Sequence, residues 1–296
     1  MFLEVLVDFG RALAGYVMSP ELAAVTFALL SAVSWGAGDF SGGVASRRLN
    51  PYLIALLVHA TGLLLFTLLA LLRAEVFQPQ DIPWSIAAGL AGCAGLVFLY
   101  RAFQFGQMGL AAPIAGVVGA ALAALVGVFL EGLPAPLQQM GFAVGLLGVW
   151  LAARPEGATG PSQGLFYAFL AGLGFGGYFA LIHQVEGLFW PSALAKLVAT
   201  TLMLGLVWRM GLLRRETGLS ATLGLVGLAG LLDAGGNVLF LVAAQAGRLD
   251  VAAVISSLYP AFTALLAWGL LRERLSQGQT LGVLLSLVAI ALIASG

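Results

Sequence analysis

Apolar residues run through this chain in long blocks separated by short polar breaks. A helix that crosses ~30 Å of hydrocarbon needs ~20 largely apolar residues. Ten blocks meet or approach that length: residues 22–45, 52–72, 84–105, 110–130, 136–153, 164–185, 190–210, 221–246, 250–271 and 277–295. Several links, such as 107–109 and 132–135, are only a few residues long and force neighbouring helices to run antiparallel. The pattern predicts an all-α membrane protein with ten transmembrane helices. Residues 1–20, with Glu4, Asp8 and Arg11, read as an amphipathic N-terminal segment, either an interfacial helix or a mobile tail. They lack the charged n-region of a signal peptide.

The pattern repeats. Setting Ala102 against Ala243 places Gln104, Gly106, Ala111 and Ala112 on Gln245, Gly247, Ala252 and Ala253. After one small shift Glu131 and Leu133 meet Glu273 and Leu275, and Gly141 meets Gly282. A self-match near half the chain length marks an internal duplication. It divides the chain into a first five-helix repeat, 21–153, a polar Pro/Gly-rich linker, 154–163, and a second five-helix repeat, 164–296. Five spans are odd in number, so the second copy enters from the opposite side and the two form inverted repeats. Such a pair suits alternating access, because one fold can adopt two mirror-related openings.

Composition agrees. Hydrophobic residues make up 61% of the 296 and charged residues 9%, against about 25% charged in soluble domains. Forty glycines fit close helix–helix approach in lipid. The formal net charge of +0 argues against a nucleic-acid partner. The single Cys93 excludes a disulfide framework. Arg47, Arg48, Arg154, Arg214, Arg215, Arg272 and Arg274 follow helices one, five, seven and nine. Positive residues mark the cytoplasmic side, which puts both termini outside.

Against this background each ionisable side chain is a candidate for function, since an acid at mid-membrane costs at least ~2.5 kcal/mol unless paired or wet. Asp39 lies two turns before Arg47 and Arg48 in the glycine-flanked run around Trp35, and either pairs with Arg47 near the interface or faces a substrate. On the repeat it aligns with Tyr178, so the acid belongs to one half only. Scaffold elements recur in both copies; elements that break the symmetry point to substrate handling. Lys196, the only lysine, either snorkels or meets an anion or a buried acid in a central cavity. His59 reads as a hydrogen-bonded packing residue in preference to a switch. Arg101 and Gln104 are three apart and share a face; Arg101 is an interfacial anchor or a carboxylate clamp, while Gln104 and Gln245 read as inter-helix hydrogen bonds. Asp233 and Asn237 sit one turn apart near mid-membrane, and Asp233 must be protonated, paired or in a water-filled cavity. Tyr259 offers a polar tip inside the bundle, and Pro260 frees a carbonyl one turn back within the ninth helix.

No hydrolytic site, metal cluster or phosphate loop is visible. His59 and His183 are not at metal spacing, and the glycine runs lie inside apolar helices rather than between a strand and a helix. An enzyme is not expected, nor a metal or cofactor; coupling to a proton gradient would run through the buried acids.

The order of elements resembles the drug/metabolite transporter superfamily, EamA-type branch. GAGDFSGG in the first helix, LYRAFQFGQMGLAAPI across the third and fourth, and LYPAFTALLAWGLLRERLSQGQTLG across the ninth and tenth carry the resemblance. It implies a secondary transporter with a central cavity between the halves, often an exporter of amino acids or other small metabolites, and more usually places both termini inside. The expectation is therefore a multi-pass protein of the cell inner membrane, a monomer or homodimer in the bilayer. It would move a small polar metabolite, an amino acid or related amine, by alternating access, with Asp233, Asn237, Tyr259, Tyr178, Trp35, Asp39, Lys196, Arg101, Gln104 and Gln245 lining or gating the path. A passive channel or a multidrug or quaternary-amine exporter is the alternative.

Overall fold

The computed structural model describes residues 20–106, 108–131, 136–153, 163–182, 184–212, 219–246, 255–256 and 258–294. The expected amphipathic segment up to residue 19, the linker up to residue 162, the loop arginines 154, 214 and 215, His183 and the side chain of Gln245 lie outside these. Ten α-helices fill the described chain: α1 Pro20–Ser46, α2 Pro51–Leu72, α3 Ile82–Phe105, α4 Met108–Glu131, α5 Pro136–Ala153, α6 Gln163–Ile182, α7 Phe189–Arg209, α8 Leu219–Ala246, α9 Tyr259–Leu271 and α10 Gln277–Ala294. No strand occurs among the described residues. Six helices, α1, α2, α3, α6, α7 and α8, are long and apolar enough to cross a membrane, and the apolar stretches described in the other four are shorter.

Local chemistry sets the helix boundaries. Asn50 caps α2, its Oδ1 accepting the N–H of Tyr52 at 3.1 Å, and Pro51 occupies the first turn, where no N–H is needed. The ninth apolar block is interrupted: residues 255–256 are helical, and α9 opens afresh at Tyr259 with Pro260 in its first turn. Proline lacks an N–H and disfavours helical geometry in the residue before it, which makes it a natural start. The sixth helix likewise stops at Ile182, three residues before its apolar block ends.

The outward faces are apolar. Trp208 and Trp268, near the ends of α7 and α9, are 79% and 69% exposed, and Leu64 and Leu146 are 73% and 72% exposed. So much bare hydrocarbon calls for lipid, with tryptophans at the water interface.

Helix packing is orderly. α1 lies along α8 and α6 along α3; α9 leans on α1 and α4 on α6; α8 touches α2 and α3 touches α7; α2 faces α7, α5 faces α10 and α4 faces α9. Exchanging each helix with the one five places on swaps the first six of these pairs in twos and leaves α2–α7, α5–α10 and α4–α9 unchanged. Hydroxyls staple α1 to its neighbours: Ser31 Oγ donates to the Gly236 carbonyl at 2.8 Å, Ser34 Oγ to Leu232 at 2.7 Å, and Thr263 Oγ1 to Gly36 at 3.1 Å. α3 and α6 touch backbone to backbone, since a Cβ on Gly174 would lie 2.5 Å from the Gly95 nitrogen.

Each end of the bundle is tied by carboxylates. At one end Arg47 Nη2, just after α1, lies 2.7 Å from Glu273 Oε1, just after α9. The Glu273 carboxylate also accepts the N–H groups of Met108 and Gly109 at the start of α4, at 3.3 and 3.0 Å. At the other end Glu75, after α2, accepts from the N–H groups of Leu188, Phe189 and Trp190 at the start of α7. Asp81 accepts from Glu186 and Gly187, both at 3.0 Å. Helix N-termini carry partial positive charge and orphan N–H groups, so carboxylates belong there.

Candidate functional site

A cavity of about 90 Å³ lies among α1, α2, α3, α6, α7, α8 and α9. Its small walls come from α3 and α7, where Ala88, Gly89, Gly92, Ala195 and Ala199 leave room for larger side chains opposite. The polar groups come from the other helices, together with Lys196 on α7. Toward the Arg47 end the bundle is filled by a core cluster that includes Ala45, Leu53, Leu99, Tyr100, Phe103 and Met108.

Two charges meet in this space. Lys196 Nζ on α7 lies 2.6 Å from Asp233 Oδ2 on α8, with side-chain exposures of 11% and 26%. The lysine reaches the acid along Gly62 of α2; a Cβ there would come within 3.1 Å of Lys196 Cε. Partnering of this kind is what an intramembrane charge requires. The backbone beneath the acid is held from both sides. Asn237 Nδ2 donates to the Asp233 carbonyl at 2.7 Å, and Trp35 Nε1 of α1 donates to the same oxygen at 3.2 Å. Trp35 fits because Gly236 has no side chain: a Cβ there would overlap the indole at 2.5 Å.

Asp39 is one turn beyond Trp35 on the same face of α1 and lines the cavity. It does not pair with Arg47, whose guanidinium is taken by Glu273. Rings form much of the wall: Trp35 and Tyr259 meet edge to face at 6.0 Å, and Tyr178 and Phe179 lie 5.6 Å apart.

The structure thus brings together Trp35, Asp39, Tyr178, Lys196, Asp233, Asn237 and Tyr259. Arg101 and Gln104 do not join them. Arg101 Nη1 donates to Tyr167 Oη at 3.2 Å, and the guanidinium sits 5.4 and 5.6 Å from the ring centres of Tyr52 and Tyr167. Gln104 Nε2 donates to the Ser46 carbonyl, at the end of the bundle where α1 and α3 finish. Both side chains project from the last turns of α3, which also carry the core residues Tyr100 and Phe103.

His59 corrects the sequence reading. It is 4% exposed and lines the cavity, and neither ring nitrogen has a hydrogen-bond partner among the described residues. It is therefore not the satisfied packing histidine expected. Phe175, Phe179 and Cys93 also line the cavity without having been singled out; nothing but helix rotation separates them from the lipid-facing residues beside them.

Among the described residues no group of three or more His, Cys, Asp or Glu is placed to hold a metal.

The sequence profile of the EamA-like transporter family matches the chain twice, over residues 22–154 and 162–295. No curated protein matches it. A solved structure described only as the crystal structure of a protein aligns with 91% of this chain and 96% of its own, at 17% identity and a TM-score of 0.60, a likeness of fold alone. Two family matches that together span nearly all of the apolar chain, on a helical bundle faced with exposed hydrocarbon, carry one conclusion: this multi-pass membrane protein belongs to the EamA-like transporter family.

Proposed function

We propose that this chain is a secondary active transporter that moves a small polar metabolite, an amino acid or related amine, across the inner membrane by alternating access, as an exporter. The observation that carries the reading is the Lys196–Asp233 pair inside a cavity walled by helices from both halves of the chain. A scaffold gains little from two buried charges, because an apolar pair of similar volume is often as stable.

The packing supports two units of five helices, 21–153 and 164–296, set in opposite directions. Swapping each helix with its counterpart five places along preserves the pairs α1–α8 and α3–α6, α4–α6 and α1–α9, α2–α8 and α3–α7. The end of α1 lies beside the start of α4 and the end of α9, whereas the end of α2 lies beside the start of α7. A route through such a bundle opens at either face by rocking one unit against the other.

Proteoliposomes loaded with a panel of amino acids and amines test the reading. Saturable, gradient-driven flux is expected, and Asp39→Asn combined with Asp233→Asn should abolish gradient coupling. Non-saturating, ion-like conductance would make the chain a channel. Coupled flux that survives the double substitution would remove both acids from the mechanism.

A further inference from the structure

The cavity is lined by one ammonium and two acids. The Lys196 ammonium is held at 2.6 Å by Asp233. Asp39 lines the same space as a second carboxylate, with no hydrogen-bond or ion-pair partner among the described residues. His59 of α2 lines the same cavity, 4% exposed, with both ring nitrogens unpartnered among the described residues. Buried polar atoms left unsatisfied by protein are normally met by water or by a ligand. A neutral imidazole presents one acceptor and one N–H donor. The remaining wall is aromatic, from Trp35, Tyr178 and Tyr259, and ring faces attract cations.

Resting on the carrier reading above, we propose that the substrate is a small organic ammonium with N–H donors and no carboxylate, a primary or secondary amine. Asp39 is its counter-ion, and His59 accepts one of its N–H groups. An amino acid brings a carboxylate as well, and the cation that lines the cavity, Lys196, already belongs to Asp233. A quaternary ammonium offers His59 no donor. The cavity of about 90 Å³ has room for an ammonium head on a short stem. Lys196 acts as a tethered cation: it keeps Asp233 occupied and leaves Asp39 as the acid that a diffusing cation can reach.

The test is calorimetric titration of the full-length chain in lipid nanodiscs with four probes of similar size: propylamine, tetramethylammonium, propionate and alanine. Propylamine should bind saturably and at least tenfold tighter than each of the others. Asp39→Asn should abolish that binding and Asp39→Glu should retain it. His59→Phe should erase the preference for propylamine over tetramethylammonium. Equal or tighter binding of alanine or propionate overturns the assignment, as does propylamine affinity unchanged in Asp39→Asn. Failure of Asp39→Asn to fold leaves the His59→Phe selectivity to decide, with an unaltered preference overturning the role given to that ring. A chain that carries alanine through vesicles and ignores propylamine refutes this inference while the carrier reading stands. Propylamine binding without saturable flux of any probe supports the site and refutes the carrier.

Discussion

The ammonium of Lys196 and the carboxylate of Asp233 touch at 2.6 Å although they stand on different helices, α7 and α8. Removing one partner strands the other. Asp233→Leu should lower unfolding stability by about 3 kcal/mol, since it leaves a buried ammonium unpaired. Lys196→Met with Asp233→Leu should recover most of that loss, because the apolar pair no longer needs a counter-charge. Thermal unfolding in detergent, set out as a double-mutant cycle, checks both values.

The carboxylate of Glu75 gathers three successive N–H groups at the start of α7, and Trp190 Nε1 donates back to its carbonyl at 2.8 Å. Glu75→Ala should cost about 1–2 kcal/mol, in line with the loss of an N-terminal cap. Hydrogen exchange of the first turn of α7 should rise while that of α3 stays unchanged; uniform exchange along both helices would contradict the local role.

Two glycines should respond oppositely to the same methyl group. In Gly174→Ala the new Cβ falls 2.5 Å from backbone nitrogen of Gly95, which cannot rotate away, so α3 and α6 must part. A loss of about 1–3 kcal/mol is expected, the usual cost of overpacking. Gly205, inside α7, has nothing within 4 Å of its would-be Cβ, so Gly205→Ala should stabilise the helix by about 0.5–1 kcal/mol. The melting temperatures of the two variants should move apart.

Arg101 is held between the rings of Tyr52 and Tyr167, away from the residues that line the cavity. Arg101→Gln should therefore cost about 1 kcal/mol of stability through the lost cation–π contacts and leave substrate affinity unchanged. Flux measurements that show a changed KM with unchanged stability would return Arg101 to the transport path.

The helices were legible because lipid demands long apolar runs, and the chain has little else. Their ends were less so: the apolar block of the ninth helix continues upstream of Pro260, and only the geometry of proline explains a start at Tyr259. That Asp233 needs a partner, a proton or water follows from its depth; that the partner is Lys196 does not, because the match depends on how α7 and α8 are rotated. Spacing pairs Asp39 with Arg47 equally well, yet Glu273 arrives from the other half of the chain and takes the arginine. His59 reads as packing for the same reason. An apolar helix carries no mark of which side faces a cavity, and an unsatisfied imidazole becomes visible only once its neighbours are in place.

Asp39 and His59 belong to the first five helices, Lys196 and Asp233 to the last five. Two copies of the leading half would assemble acids and imidazoles with no ammonium among them, while two copies of the trailing half would supply that ammonium twice and omit Asp39. Neither segment, expressed separately as a homodimer, could regenerate the mixed set of groups. The doubled halves have ceased to be interchangeable: the mixed set needs one of each.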